Sequence, residues 1–176
     1  MRIPGFYAGG SKDMMTTMRS MKRAVLVTLG LAAGLLSLAG AASAEEAAEA
    51  VRALYAPVWN PLEGEDLSKL TGPALALFEK SAKVSAETGE AGCVDFVVTV
   101  GGQDFDDEEV ARTIETVETG RSPEGDALVT ARFRSFPDGD ADQEIRWTMR
   151  QVGGAWKVAD IESPLDEWKL STFPCD

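Results

Sequence analysis

Between residues 126 and 161, apolar and polar residues alternate in three consecutive segments, and no other feature constrains the fold as strongly. In Asp126–Phe136, Val129, Ala131 and Phe133 share one face and Arg132 and Arg134 the other. In Gln143–Val152, Ile145, Trp147 and Met149 oppose Glu144, Arg146, Thr148 and Arg150. Ala155–Ile161 continues with Trp156, Val158 and Ile161. A period of two with one polar face belongs to an antiparallel sheet covered on one side. The links read as turns: Ser122-Pro123-Glu124-Gly125, Pro137-Asp138-Gly139-Asp140, and Gly153-Gly154, which has the spacing of a two-residue hairpin. The β-rich stretch Val94–Val100 and the alternating stretch Arg112–Thr119 bring the expected strands to five.

Upstream the period changes. Ala48, Val51, Leu54, Tyr55 and Val58 form one stripe of a helix over 45–58, with Glu45, Glu46 and Glu49 at its dipole-favoured start and Pro57 and Pro61 at its end. A second helix opens at Pro73 and stops near Gly89, offering Leu75, Leu77, Phe78, Ala82 and Val84 to a core. Residues 45–176 contain no repeat and no linker, so they read as one α+β domain. Its N-terminal helices are expected to pack on the apolar face of a curved, cone-like antiparallel sheet.

Residues 1–44 read differently. Lys22 and Arg23 precede an apolar run from Ala24 to Leu38, and Ala42-Ser43-Ala44 closes it before Glu45. A basic start, an apolar middle and a small-x-small end make a secretory signal peptide, with cleavage expected after Ala44. The alternative is an uncleaved anchor, since the run is long enough to span a bilayer at about 20 residues. Residues 1–20 lack this pattern and suggest initiation at Met21 rather than Met1. The expected destination is the periplasm or the medium, by export of the Gram-negative type.

Charge and composition exclude several functions. The chain has 17 Lys and Arg against 29 Asp and Glu, and no histidine. Residues 45–176 keep 12 of those bases and 28 of the acids. Serine and cysteine hydrolase sets that need histidine are ruled out, as are histidine zinc sites. The acidity argues against nucleic acid as a partner, because phosphate binding needs clustered bases. After cleavage nothing anchors the chain to a membrane. No cofactor is implied. Asp138, Asp140 and Asp142 have the first spacings of a calcium loop, but Gln143 and Met149 stand where glycine and glutamate are needed, so no metal site is assigned. Cys93 and Cys175, the only cysteines, suit a disulfide in an oxidising compartment; two free buried thiols or a redox pair are the alternatives.

The closing segment Gly154-Ala155-Trp156-Lys157-Val158-Ala159-Asp160-Ile161-Glu162 resembles the last strand of the nuclear transport factor 2-like, or SnoaL-like, superfamily, which belongs to the cystatin-like α+β folds. Val51-Arg52-Ala53-Leu54-Tyr55 resembles its first helix. Gly92-Cys93-Val94-Asp95-Phe96, Gly101-Gly102-Gln103-Asp104-Phe105 and Trp168-Lys169-Leu170 are similar to a small exported bacterial family of unknown function. The resemblance implies a cone-shaped sheet, homodimers through the open sheet in many relatives, and either enzymes or binding modules on the same fold. It also implies that Asp95, Gln103 and Asp104 gather at the start of the sheet.

The candidate ligand-binding residues are therefore Asp95, Gln103, Asp104, Asp160 and the rim tryptophan Trp59. The expected function is a non-catalytic binding or interaction module for an unidentified small molecule or envelope protein. The alternative is a small lyase or isomerase with Asp95 or Asp104 as general base, a role that requires a carboxylate in an apolar pocket. Arg132, Arg134, Arg146 and Arg150 could form an anion-binding ladder, but cross-strand pairing with Glu144, Glu115 and neighbouring acids is the favoured reading.

Overall fold

The computed structural model describes residues 45–63, 67–138 and 143–175. The expected signal segment, its expected cleavage point and the start codon lie outside the described residues, as do residues 139–142. Five strands form one sheet in chain order: β1 (Glu115–Arg121), β2 (Ala127–Phe133), β3 (Gln143–Val152), β4 (Ala155–Ser163) and β5 (Trp168–Lys169). Every pairing is antiparallel. Val129 lies opposite Trp147, and Trp147 opposite Ile161, so the alternation seen in the sequence aligns three strands on one buried face. Complete burial of a valine, isoleucine or phenylalanine side chain contributes about 1.5–3 kcal/mol, which makes this register much cheaper than a one-residue slip. Gly153 and Gly154 both have positive φ, as the tight β3–β4 hairpin requires.

Among the described residues three helices accompany the sheet. The first, α1, covers residues 45–52 and is shorter than the apolar stripe predicts. Pro57 cannot donate the next helical hydrogen bond, and the backbone turns, with Trp59 N donating to Leu54 O at 2.7 Å. Val51, Leu54 and Tyr55 are buried all the same. The second, α2 (Gly72–Thr88), has a proline in its first turn and ends on Gly89 at φ 72°, as its sequence predicts. Its buried face is Ala74, Leu77, Phe78 and Ser81, one step round from the expected stripe, while Ala82 is exposed. It lies against β4.

The third helix, α3 (Asp107–Thr113), falls in the acidic run and replaces the start of the strand expected at Arg112. Asp106 caps it by accepting a hydrogen bond from Glu109 N at 2.9 Å, and three acids occupy the dipole-favoured first turn. Glu109, 4% exposed, is held by Arg112 Nε at 3.1 Å from Oε2 and by the ion pair of Arg134 Nη2 with Oε1 at 2.6 Å.

Val94–Val100 is not a strand. Val100 N and Gly101 N both donate to Val97 O, at 3.1 and 2.9 Å, and close a turn in which Gly101 takes φ 73°. The turn buries Val94, Val98 and Val100 without a ladder. The fifth strand is instead β5, a two-residue pairing that places Lys169 opposite Glu162.

Cys93 and Cys175 form the disulfide that their number and context predict, with Cα atoms 5.1 Å apart. The residue before Cys93 leaves no room for a side chain. A Cβ on Gly92 would meet Ser81 Oγ and come within 2.6 Å of the Ser81 carbonyl oxygen, and Ser81 Oγ already accepts from Val94 N at 3.2 Å. Gly92→Ala is therefore expected to destabilise the fold by about 1–3 kcal/mol, read as a lower urea midpoint at unchanged slope. An unchanged midpoint would show that α2 yields freely at Ser81.

Candidate functional site

The polar face of the sheet carries three cross-strand rows. Glu115, Arg132 and Glu144 are successive partners in the first, Val117, Thr130, Arg146, Glu162 and Lys169 in the second, and Leu128, Thr148 and Asp160 in the third. Alternation in the sequence puts all these side chains on one face, and register then places unlike charges side by side. Arg132 Nη2 stands 2.7 Å from Glu144 Oε2, and Arg146 Nη2 stands 2.8 Å from Glu144 Oε1. Lys169 Nζ lies 3.5 Å from Glu162 Oε2 and 3.6 Å from Asp160 Oδ2. The Arg132 guanidinium holds the Glu144 carboxyl below its ordinary range, burial opposes this, and Arg146 adds to the lowering.

A cleft of about 510 Å³ opens over these rows, lined by Thr130, Arg146, Thr148, Asp160, Glu162 and Lys169 among others. A second, of about 340 Å³, borders Arg52, Glu115 and Val117 and shares Thr130 and Arg132 with the first. Asp160 is 7% exposed, and its Oδ1 accepts from Ile161 N and Ser171 N, both at 3.0 Å. It thus ties β4 to the short 3₁₀ turn Leu170–Thr172 while its second oxygen faces Lys169.

The other residues singled out in the sequence lie elsewhere. Gln103 Nε2 donates to the Asp95 main-chain oxygen at 3.0 Å, which brings Asp95 and Gln103 together with Asp104 adjoining. All three are exposed, so neither carboxylate stands in the apolar surroundings that a general base here requires. Trp59 borders the same loop through its carbonyl, which accepts from Thr99 Oγ1 at 2.5 Å, and Lys69 Nζ sits 5.5 Å above its ring. No described contact joins Asp160 to this group.

The arginine ladder divides into ion pairs, at Glu144 as the pairing reading expects and otherwise at Glu109 and Asp126 rather than Glu115. Arg132 and Arg146 go to Glu144, Arg134 to Glu109, and Arg150 Nε donates to Asp126 Oδ1 at 2.9 Å. Under the sheet the space is filled with aromatic rings: Tyr55 stands 5.2 Å from Phe133 and 5.9 Å from Trp147, and accepts from Trp147 Nε1 at 3.1 Å. Thr130 and Thr148 were not marked by the sequence, because a threonine on a polar strand face reads as ordinary surface. Their only signal is their place between charged neighbours. Among the described residues no group of three or more histidine, cysteine or acidic side chains is placed to hold a metal ion. Comparison with protein-family models, with curated proteins and with solved structures found no match for this chain.

Proposed function

We propose that this chain is an exported, non-catalytic binding or interaction module that works through the open face of its sheet. The observation that carries the reading is the contrast between the two faces. Tyr55, Phe133 and Trp147 occupy the interior, whereas the larger cleft opens on the polar face among side chains held in place by ion pairs. A prearranged polar face costs little to order on binding, which suits recognition. Export rests on the signal-like order of residues 21–44, with release after Ala44 into the periplasm, and on the bridge between Cys93 and Cys175. Membership of the nuclear transport factor 2-like superfamily, with α1 and α2 on the concave side of a cone-like sheet, belongs to the same proposal. It is supported by helices that precede a meander and by the tight turn before β4.

Native mass spectrometry of the protein recovered from the periplasm without refolding tests the reading. The expected result is a chain beginning at Glu45 that retains a small molecule or a polypeptide, and loses it when Thr148→Arg fills the cleft. A wild-type chain that retains nothing, or a bound mass that survives Thr148→Arg, overturns binding at this face. A full-length chain in the membrane fraction overturns export with cleavage.

A further inference from the structure

We infer that the polar-face cleft takes a neutral polyhydroxylated ligand, a short oligosaccharide, and that the Thr130 hydroxyl is a direct contact. The inference rests on the binding role proposed for this face and adds the chemical class of its ligand. Three cations line the larger cleft, Arg132, Arg146 and Lys169, and three anions, Glu144, Asp160 and Glu162. The cleft is therefore neutral on a chain with 12 more acids than bases. Each cation is already within 3.6 Å of an anion of the same face. An ionic ligand finds no net field to draw it in, and it must break a pair or sit beside the opposing charge at a desolvation cost.

What the face leaves over is uncharged hydrogen-bonding capacity. Thr130 is 4% exposed, lines both clefts, and its hydroxyl has no hydrogen-bond partner among the described residues. Thr148, in the adjoining row, is likewise without one. The hydroxyl itself is not sealed off, so it opens on the cleft and is free to donate and to accept there. The remaining lone pairs of Asp160 and Glu162 accept, and the remaining Lys169 N–H groups donate, without undoing any pair. A ligand that offers many hydroxyls as both donors and acceptors matches this pattern, and Leu128 in the same row supplies an apolar patch for the C–H face of a sugar ring. The volume falls within the range of small-molecule sites, and the wall shared with the second cleft lengthens the groove beyond a single ring.

The test uses isotope-labelled protein purified from cells without refolding, with backbone amide resonances followed by NMR. The neutral probes are maltotriose, cellotriose and triacetylchitotriose; the charged ones are trigalacturonate and the zwitterion glycylglycine. At least one neutral trisaccharide at millimolar concentration is expected to shift the amides of Thr130, Thr148 and Asp160 saturably. Thr130→Val, which keeps shape and strand preference, is expected to weaken that binding about tenfold, the ratio that matches loss of one well-formed hydrogen bond. An unchanged spectrum away from the cleft shows that the variant is folded. No saturable shift with any neutral probe, or shifts that Thr130→Val leaves unaltered, overturns the inference. Tighter binding of a charged probe at the same amides overturns the ligand class while leaving the face as a binding surface. Silence from all five probes together with a bare chain in native mass spectrometry removes both.

Discussion

Replacing both Cys93 and Cys175 with alanine is expected to lower the free energy of unfolding by about 4–5 kcal/mol, the chain-entropy value for a loop of this length. The two residues are 82 apart in sequence, so the bond closes most of the domain into one ring. Opening it gives the unfolded chain a larger ensemble, and the urea slope is expected to rise along with the fall in midpoint. The effect also has a local part. Cys175 is 6% exposed and ends a segment in which Phe173 lies 5.9 Å from Phe96, while Trp168 lies 5.1 Å from the same ring. Without the bond this segment is held by those rings and by the Ser171 N to Asp160 hydrogen bond at 3.0 Å. Hydrogen exchange at Ser171 is therefore expected to accelerate more than exchange in β2 or β3. If the double variant unfolds within about 1 kcal/mol of the wild type, the constraint on the unfolded chain is not what stabilises this domain. Two thiols that alkylate without reduction would remove the bond itself.

The parts of the fold that the sequence announces are those with two chemically different faces repeated over several residues. β2 and β3 are legible because Val129, Ala131, Ile145 and Trp147 alternate with Thr130, Arg132, Glu144 and Arg146, and no helical register explains that order. The end of α2 is legible because Gly89 takes the left-handed backbone that glycine adopts at least cost. Shorter elements are not. α3 has seven residues, too few for a stripe, and its signal is the Asp106 cap with Glu109 three residues later, inside a run that reads as solvated acid. Val94–Val100 misleads because β-branched residues serve a buried turn as well as a strand, and only tertiary contact decides between them. β5 is two residues long and exists because Glu162 and Ser163 present an edge to Trp168 and Lys169.

The same physics explains the candidate site. Gly101-Gly102-Gln103-Asp104 draws attention as a motif, and the structure does join Gln103 to Asp95, but on an exposed loop. The cleft is made from Thr130, Arg146, Thr148 and Asp160, which stand on three strands and meet only through register. Of these the sequence singles out only Asp160 as a ligand-binding residue. Arg146 enters the sequence reading through the anion-binding ladder, and it is the pairing with Glu144 that the structure displays.

The interior makes the second large prediction. Tyr55 is the only tyrosine of residues 45–176, and it is fully buried between Phe133 and Trp147. Burial pushes its phenol well above the ordinary tyrosine range, and the hydrogen bond from Trp147 Nε1 offsets only part of this. In the unfolded chain the phenol ionises near pH 10, so above that pH the folded state holds one more proton than the unfolded state, and stability falls by about 1.4 kcal/mol per pH unit. Below pH 10 this contribution is complete and flat. Alkaline titration of residues 45–176 is therefore expected to show no tyrosinate absorbance until the domain unfolds, and then a single step that coincides with the change in tryptophan fluorescence. Tyr55→Phe abolishes the alkaline slope due to this group, and at neutral pH it costs about 1–3 kcal/mol because the buried Trp147 N–H loses its acceptor. Trp147→Ala is expected to cost more, about 3–5 kcal/mol, since it opens a cavity under β2 and β4 as well. Tyrosinate absorbance rising smoothly around pH 10 while the domain stays folded would place the phenol in water. The packed interior would then be wrong, and with it the argument that binding falls to the outer face.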